Sequence, residues 1–551
     1  MKRVITVLGL LFVFSNGYSQ IRGGFENTTQ WYVDDKKVKL DDKEAEKDRL
    51  HSNSYLKLDY DYKNWTIGTQ IENYMPNALL NYNPEFKKTH FGSAYLRYNN
   101  VEKGIDVTAG HFYDQFGSGL LFRAWEDRQI GINNSVFGLN AKYNFNENIK
   151  GTVLGGKQRI GMGFDFAKSW IMGANFSFDI ANMLKKEDFD LTGEIGYVGR
   201  LEDELEYNSD LDKLTNAFSI KTDFAKGGFY VGAEYVYKQN DVLVEMDRIY
   251  PNISHYGSAL LINTGYSKKG MAFNINLRRM ENMAFYSQRD FSGNFYLKGT
   301  MNYIPALTKQ YDYSLQNIYV YQAQPFFDMN MRRKVGEIGG QFDFYYEFAK
   351  GSTLGGEYGT NLVVNGSYWA GIKNEVNGDK TGLKSEFLGF GNKYYSDFGV
   401  EVRKKWSKDW SSIFMYLNQY YNSPFLDGKE YVIKSNILSA ETTYQFLEDK
   451  SVRLEAQHMW ANGDKKNWVA GTAEFAYNNN WSMYVSDMYN YGNDDTEKRI
   501  HYYNVGASYT KGVTRVSAGY GRQRGGLLCV GGICRMVSEA AGLTIGITTS
   551  F

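Results

Sequence analysis

Only a few side chains in this sequence are candidates for catalysis or metal binding, and their spacing matches no catalytic or metal-binding motif. No two of the six histidines have the spacing of a metal-ligand pair: His51, His90, His111, His255, His458 and His501. A serine–histidine–aspartate triad is a spatial arrangement that spacing does not exclude, so an enzyme stays as the minor alternative. We therefore expect no enzyme activity and no cofactor.

Three further kinds of stretch carry reactive, glycine-rich or charged residues. The two cysteines, Cys529 and Cys534, lie in the segment CVGGIC. In an exported chain we expect a disulfide between them, and a metal site is less favoured because no histidine is near. Residues 117–122 and 161–164 are glycine clusters without a strand-to-helix pattern, so we interpret them as strand ends rather than phosphate loops. The charged run at residues 34–49 lacks the ligand spacing of a calcium loop and is interpreted as a solvated surface loop.

The composition predicts an exported protein made of strands and tight turns. The 551 residues include 62 basic and 62 acidic side chains, a balance that gives no reason to expect a nucleic-acid partner. Tyrosine (45), phenylalanine (35) and glycine (57) are frequent and proline (6) is rare, which favours strands joined by glycine-containing turns. Residues 1–19 have the basic start, apolar run and small residues of a signal peptide. The run is shorter than the roughly 20 apolar residues that span a membrane, so we expect a mature domain at residues 20–551.

The connections between strand-like runs are of two kinds. Tight turns with lysine and glycine recur, as in FAKGG, YSKKG, FAKGS and YTKGV. Between successive short turns lie two strand-like runs and one longer polar connection, for example at residues 34–51, 74–89, 115–131, 238–254 and 281–335. All six prolines fall in the long connections, as expected because proline cannot donate to a β-ladder. The pattern predicts an antiparallel up-and-down meander whose two ends differ.

Apolar and polar side chains alternate within the strand-like runs. In MAFNINLR, residues 271–278, methionine, phenylalanine, isoleucine and leucine share one face, and the asparagines and arginine share the other. Such strands fit either a soluble sandwich or a transmembrane barrel. Export, the two kinds of connection and the aromatic residues beside the short turns, such as Tyr62, Trp65 and Trp481, favour the barrel.

The C-terminal tail adds a resemblance. The last ten residues, GLTIGITTSF, alternate up to a terminal phenylalanine and resemble the C-terminal signal of bacterial outer-membrane barrels. The longer tail is similar to that of a family of exported Bacteroidota barrels of unknown function, through Arg524, Gly525, Gly526, Cys529, Gly531, Gly532, Cys534, Arg535, Gly542, Ser550 and Phe551. This resemblance implies an outer-membrane location and that phylum, and it implies no substrate or catalytic residue.

The expected fold is all-β, a large transmembrane antiparallel β-barrel of about 24 strands with short periplasmic turns and long extracellular loops. Residues 351–406 could add or remove one hairpin. Outer-membrane lipid is then the main partner. The polar face would line the lumen through Glu234, Lys238, Asn274, Asn276, Arg278, Arg453 and Glu455.

The longest connection, residues 281–335, is rich in aromatic side chains that a solvated loop would not usually carry. They include Phe291, Phe295, Tyr296, Tyr303, Tyr311, Tyr319, Phe326 and Phe327. We expect this loop to fold into the lumen and constrict it, because an empty barrel of this size would leak; the alternative is that it caps the barrel or docks a partner. Two functions follow. One is a pore or transporter for a small polar solute, and the other is a non-conducting structural or docking subunit beside other envelope proteins.

Overall fold

The computed structural model describes residues 21–551, except 39, 41–47, 81, 83–85, 203–211, 246–247, 293, 295–296, 326, 329–333 and 377–382. The predicted signal peptide, residues 1–19, lies outside this range. Among the described residues, no helix has the length and apolar character needed to cross a membrane.

Twenty-four strands form one antiparallel sheet. They are β1 (Ile21–Tyr32), β2 (Leu50–Tyr62), β3 (Trp65–Tyr74), β4 (Lys88–Asn100), β5 (Ile105–Phe112), β10 (Val136–Asn144), β11 (Ile149–Gln158), β12 (Trp170–Asp179), β13 (Asp190–Leu201), β14 (Leu214–Lys226), β15 (Phe229–Glu245), β16 (Arg248–Lys268), β17 (Met271–Glu281), β20 (Glu337–Phe348), β21 (Thr360–Val376), β22 (Leu383–Lys405), β23 (Trp410–Asn422), β24 (Val432–Leu447), β25 (Lys450–Ala461), β26 (Trp468–Ala476), β27 (Trp481–Tyr489), β28 (Asn504–Lys511), β29 (Thr514–Gln523) and β32 (Ala540–Ser550).

Short elements interrupt the long connections. The additional strands are β6 (Asp114–Phe116), β7 (Phe122–Ala124), β8 (Glu126–Asp127), β9 (Ile132–Asn133), β18 (Phe327–Asp328), β19 (Lys334–Val335), β30 (Gly526–Val530) and β31 (Ile533–Val537). The helical turns are α1 (Ile180–Met183) and α2 (Ser423–Leu426), with 3₁₀ turns at Ser314–Ile318 and Thr496–Lys498.

The sheet closes on itself, because β1 pairs with β2 on one side and with β32 on the other. The backbone amide of Gly23 donates to the carbonyl of Phe551 at 2.8 Å, so the last residue joins the closing seam. Each barrel strand is paired antiparallel to its neighbours along the chain. The predicted fold, a closed antiparallel barrel of 24 strands, is confirmed.

The short turns lie at one end of the barrel, which we call the turn end, and the long connections lie at the other, the loop end. Glycine lets the chain reverse tightly at the turn end, where Gly228 and Gly270 have φ of 86° and 78°. Residue 63 follows β2 directly and residues 101–104 join β4 to β5, as the sequence predicts. The described part of the chain starts and finishes at this same end, since Ile21 pairs with Tyr60 and Phe551 bonds to Gly23.

The register turns the apolar face of each strand outward. In β17, Leu277 is 46% exposed whereas its neighbour Arg278 is 3% exposed. Exposed aromatic side chains flank the short turns, among them Tyr62, Trp65, Phe145, Phe229, Trp410 and Trp481. A second group, Trp31, Trp170 and Trp460, is exposed near the loop end. Two aromatic belts around an apolar band are typical of a barrel that spans a membrane.

Two expectations about the long connections need correction. Residues 238–254 were expected to be a loop, but most of them continue β15 and β16 as a hairpin beyond the neighbouring strands. Pro251 therefore lies inside β16, in a bulge between the register pairs Val242–Ser254 and Leu243–Tyr250, where the ladder is interrupted. Residues 351–406 contain one hairpin, β21–β22, whose far end extends in the same way.

Candidate functional site: a lumen closed by inward segments

The structure places all seven predicted lumen residues on the inward register of their strands. Three of them contact segments that fold into the barrel. The Nζ of Lys238 donates to the carbonyl of Ala284 at 2.8 Å, and an Nη of Arg278 donates to the carbonyl of Pro305 at 2.7 Å. Glu234 accepts a hydrogen bond from the backbone of residue 118 at 3.0 Å.

The remaining four predicted lumen residues contact the barrel wall or face the open part of the lumen. Arg453 forms ion pairs with Glu455 at 2.5 Å and with Glu441 at 2.8 Å. Asn274 and Asn276 are half-buried and pair in register with Asp343 and a glutamine of β20. The inner wall at the turn end is therefore polar, with charges of both signs.

Residues 282–336, which we call the plug loop, fold into the lumen. Leu315 and Tyr321 are almost fully buried in a cluster with Trp369, Leu417 and Trp468, which project inward from the wall between β21 and β26. This part of the loop forms a 3₁₀ turn at Ser314–Ile318. The backbone amide of Leu315 in this turn donates to the side-chain oxygen of a glutamine in β25 at 3.0 Å. Exposure of these inward apolar side chains to a water-filled lumen would cost free energy, and the plug loop removes them from water.

The predicted loop aromatics divide into three groups. Tyr311 and Tyr319 pack in or against this apolar cluster, and Tyr303 packs against a smaller one. Phe291 is half-buried. Phe295, Tyr296 and Phe326 lie outside the described residues, as does the side chain of Phe327, whose backbone forms part of β18.

Buried charges join the plug loop to the wall. Glu337, at the start of β20, accepts from Arg278 at 2.6 Å, from the hydroxyl of Tyr321 at 2.6 Å and from the amide of Gln324 at 2.8 Å. Arg289 of the plug loop donates to Asp241 at 2.8 Å. These groups are almost fully buried, and a buried charge is tolerated only when it is paired and hydrogen-bonded in this way.

A second segment, residues 113–135, also folds inward, and we call it the inner loop. Phe116, Leu121 and Phe122 are almost fully buried against wall residues such as Val198 and Val236. The amide of Gly117 donates to Glu194 at 2.5 Å. Residues 117–121 do join two strands, β6 and β7, but these strands belong to the inner loop and not to the barrel wall. The apolar run FGSGLLF inside a long connection was the sequence signal for a buried loop.

The hairpin at residues 524–539, which we call the clasp hairpin, lies over both segments. Its strands β30 and β31 carry the Cys529–Cys534 disulfide. The carbonyl of Gly532 accepts from the amide of Ala306 in the plug loop at 2.9 Å, and Ile533 packs with Ile132 of the inner loop.

The charged run at residues 34–49 is also partly inside. Val38 is almost fully buried in the apolar cluster of the plug loop, whereas Asp34, Lys36 and Lys37 are exposed, so the expected solvated loop is held inside at one residue. Asp35 accepts from Arg522 of β29 at 2.8 Å. Residues 39 and 41–47 lie outside the described part of the chain.

Polar cavities remain between the inner loop and the wall of β1–β5 and β10. One, of about 280 Å³, is lined by side chains that include Lys57, Arg97 and Asp106. Another, of about 270 Å³, is lined by side chains that include Lys57, Glu26 and Arg128. Lys57 lines both, so the cavities adjoin along the same part of the wall.

Arg128 of the inner loop separates these cavities from the loop end. One Nη donates to Glu26 at 2.9 Å, the other donates to Gln70 at 3.0 Å, and the guanidinium lies 4.6 Å from the ring centre of Tyr55. Beyond Arg128 the structure leaves a cavity of about 20 Å³, lined by residues that include Tyr74 and Arg128 itself. That volume holds about one water molecule.

Comparison with solved structures finds large outer-membrane barrels at low sequence identity. The siderophore receptor PirA from Pseudomonas aeruginosa is 9% identical with a TM-score of 0.41, over 98% of this chain and 81% of that chain. The translocation pore of the P pilus usher PapC is 8% identical with a TM-score of 0.40, over 96% of this chain and 99% of that chain. The copper transporter OprC is 8% identical with a TM-score of 0.40, over 96% of this chain and 80% of that chain. Similarity at this level says nothing about what this chain transports or binds.

No functionally curated protein matches the sequence. One family model, described as a family of unknown function (DUF6029), matches residues 1–551. The chain therefore belongs to the DUF6029 family.

Proposed function

We propose that this protein is an outer-membrane transporter for small polar solutes whose lumen is closed at rest and opens along β1–β5. The observation that carries the proposal is the polar contact on that side. The inner loop contacts β1 and β3 through Arg128. On one side of Arg128 lie the charged cavities of about 280 and 270 Å³, and on the other lies the cavity that holds about one water molecule. Elsewhere the inward segments pack on the wall through large apolar clusters, together with almost fully buried ion pairs such as Arg289–Asp241.

The location that goes with this proposal is the outer membrane, reached by means of a cleaved signal peptide at residues 1–19. The turn end would face the periplasm and the loop end the outside, and the phylum would be Bacteroidota. Neither catalysis nor a cofactor is part of the proposal.

The charges of the cavities suit a solute that forms many hydrogen bonds and carries little net charge. Arg97 pairs with Asp106 within the wall at 2.6 Å, and Lys142 of the wall pairs with Asp114 of the inner loop at 2.9 Å, so charges of both signs lie beside the cavities. A lumen with one dominant sign would select ions of the opposite charge. Mixed charge favours neutral or zwitterionic polar molecules.

Opening at Arg128 costs little free energy. Its side chain is 25% exposed and that of Glu26 is 38% exposed, so water screens the ion pair. Ion pairs with this exposure contribute about 1 kcal/mol or less. Moving the plug loop off its apolar contacts would cost several times more, because each buried leucine-sized side chain contributes about 1.5–3 kcal/mol.

Conductance of the purified protein in planar bilayers tests the proposal. For Arg128→Gln we expect the open fraction to rise about fivefold, as the loss of about 1 kcal/mol in the closed state requires. Arg97→Gln is the matched control, since Arg97 lines the cavity of about 280 Å³ and bonds to Asp106 of the neighbouring wall strand. Equal conductance in the wild type and Arg128→Gln would contradict the proposal.

A second candidate is a non-conducting docking subunit, and the extended hairpins favour it. β15–β16 and β21–β22 continue beyond their neighbours and pack on each other through Leu243 and Ile372. Leu388, near the far end of β22, is 70% exposed. This candidate predicts that a partner co-purifies from native membranes and that no plug-loop variant conducts.

A further inference from the structure

An apolar groove lies on the outer face of the barrel near the loop end. It has a volume of about 620 Å³ and runs between β16, β17, β20 and β21. Its walls are outward side chains, among them Leu277, Phe342 and Tyr368, and its rim carries Leu388 and Phe390 of β22. The groove therefore opens toward the membrane rather than toward the lumen.

Glycines in the outward register make the floor of the groove. Gly340 stands in register with Leu277, and Gly366 with Phe342. Neither position adds a side chain to the outer surface, so the floor is lower than the surrounding wall. A Cβ on Gly366 would lie 2.8 Å from the ring of Phe342, which shows how closely the backbone and the aromatic wall approach there.

A bulge in β22 covers the loop-end edge of the groove and is called its roof. Residues 386–389 lie between the register pairs Ile372–Phe390 and Asn374–Ser385 and have no partners in β21. The carbonyl of Phe387 accepts from the Nε of Arg279 at 3.2 Å. Arg279 is itself held by Glu281 and Ser258, and it is almost fully buried. The roof is thus fixed to the barrel wall by a buried arginine.

Two outward lysines lie beside the groove. The Nζ of Lys393 lies 5.3 Å from the ring centre of Tyr368, which lines the groove, and 4.1 Å from that of Tyr420. Lys434 is in register with Tyr420 on the next strand. Lys373 nearby pairs with Glu386 at 2.5 Å, whereas neither Lys393 nor Lys434 has a carboxylate in ion-pair contact among the described residues.

We propose that the groove binds one acyl chain of an outer-leaflet lipid whose phosphate lies on Lys393 and Lys434. The outer face of a membrane barrel is covered by lipid, so an acyl chain is the apolar partner that reaches this groove. Lysines at the end of the apolar band lie at headgroup depth and attract anionic headgroups. Tyr368 and Tyr420 lie beside Lys393, so the site has an apolar wall and a cationic edge.

Native mass spectrometry of the detergent-purified full-length protein tests the site, with dimyristoyl phosphatidic acid as the probe. We expect one bound lipid per barrel and at least tenfold weaker binding by Lys393→Gln/Lys434→Gln. Dimyristoyl phosphatidylcholine, which has the same chains and no net charge, should bind at least tenfold more weakly to the wild type. Leu388→Glu should also weaken phosphatidic acid binding, because it places a charge over the groove.

Lys157→Gln is the matched control. Lys157 is an outward lysine near the loop end that lies 5.3 Å from the ring of Trp170 and does not line the groove. It should leave lipid binding unchanged, and heat-modifiable migration in gels should show that every variant is folded. Equal binding by the double variant and the wild type, or equal binding of both lipids, would overturn the proposal. A protein dimer that excludes lipid would assign the groove to a second copy and overturn it as well.

Discussion

The inward segments meet the barrel wall in two contrasting ways. Against β21–β26 the plug loop buries Leu315 and Tyr321 among inward apolar side chains such as Trp468. Against β1–β3 the inner loop makes contact through the guanidinium of Arg128, beside polar cavities. The first contact is apolar and almost fully buried, and the second is polar and partly exposed. The proposed function assigns them different roles: the apolar side holds the inward segments in place, and the polar side is the one along which a solute would pass.

The contrast has an energetic basis. Apolar burial stabilises by about 25 cal/mol per Å², and it does not depend on the approach of a charged solute. A partly exposed ion pair contributes about 1 kcal/mol or less, and a polar solute can replace its hydrogen bonds. Local opening is thus expected at the weaker contact, as mobile segments generally belong to the least stable parts of a fold.

Removing the plug loop should have the largest effect. Deletion of residues 292–327 takes away most of the apolar contact, so we expect single-channel conductance to rise at least tenfold, to that of a wide open barrel. Heat-modifiable migration in gels should confirm that the barrel still forms. Unchanged conductance in a folded deletion variant would show that the inner loop and clasp hairpin close the lumen by themselves.

A single substitution in the apolar contact should have an intermediate effect, on stability rather than on conductance. Leu315 is fully buried, and Leu315→Ala should lower the free energy of unfolding of the plug loop by about 2–5 kcal/mol. Limited proteolysis in detergent, at increasing urea concentration, measures this loss. Leu354→Ala is the control, because Leu354 is exposed in a connection at the turn end, and it should change stability by about 0.5 kcal/mol or less.

Comparison of this pair with Arg128→Gln sharpens the contrast. If the two contacts differ as proposed, Leu315→Ala destabilises the plug loop more than Arg128→Gln does, whereas Arg128→Gln raises conductance more. If the same variant has the larger effect on both plug-loop stability and conductance, the inward segments move as one unit. The polar and apolar contacts would then have no separate roles.

Local patterns in the sequence predicted most of the barrel, because the alternation of apolar and polar residues identifies a strand without knowledge of its neighbours. The alternation of residues 271–278 placed Asn274, Asn276 and Arg278 on the inward face, which is where the structure has them. The closing strand, ending at Phe551, was likewise evident from its alternation.

Contacts between distant segments were not predictable in the same way. Arg128 contacts Glu26 and Gln70, which are 102 and 58 residues away in the sequence, and no local pattern relates them. The inner loop was missed although its apolar run is visible, because a run of that length also fits a short strand. Pro251 was misassigned because a bulge can admit a proline where a regular ladder cannot.

The smallest expected effect concerns a polar contact at the rim of the loop end, where Asp35 accepts from Arg522 and from the amides of Lys37 and Val38. Burial raises the pKa of Asp35, but hydrogen bonds from the two amides and from Arg522 outweigh it and hold the pKa below its ordinary value of 3.8. Because the pKa is lowered in the folded state, the ionised carboxylate stabilises this segment above that ordinary value. The stabilisation is lost as the pH falls through the lowered value.

Hydrogen exchange of the amides of Lys37 and Val38 measures this effect. We expect them to be more protected in the wild type than in Asp35→Asn at about pH 6, and equally protected once the pH is below the lowered pKa, where the carboxylate is protonated. Asp34→Asn is the control, because Asp34 bonds to Arg49 instead. Val38 itself reaches into the apolar cluster of the plug loop. Protection that survives in Asp35→Asn would therefore show that the apolar contact alone holds this segment, and that the polar contact at the rim adds nothing to it.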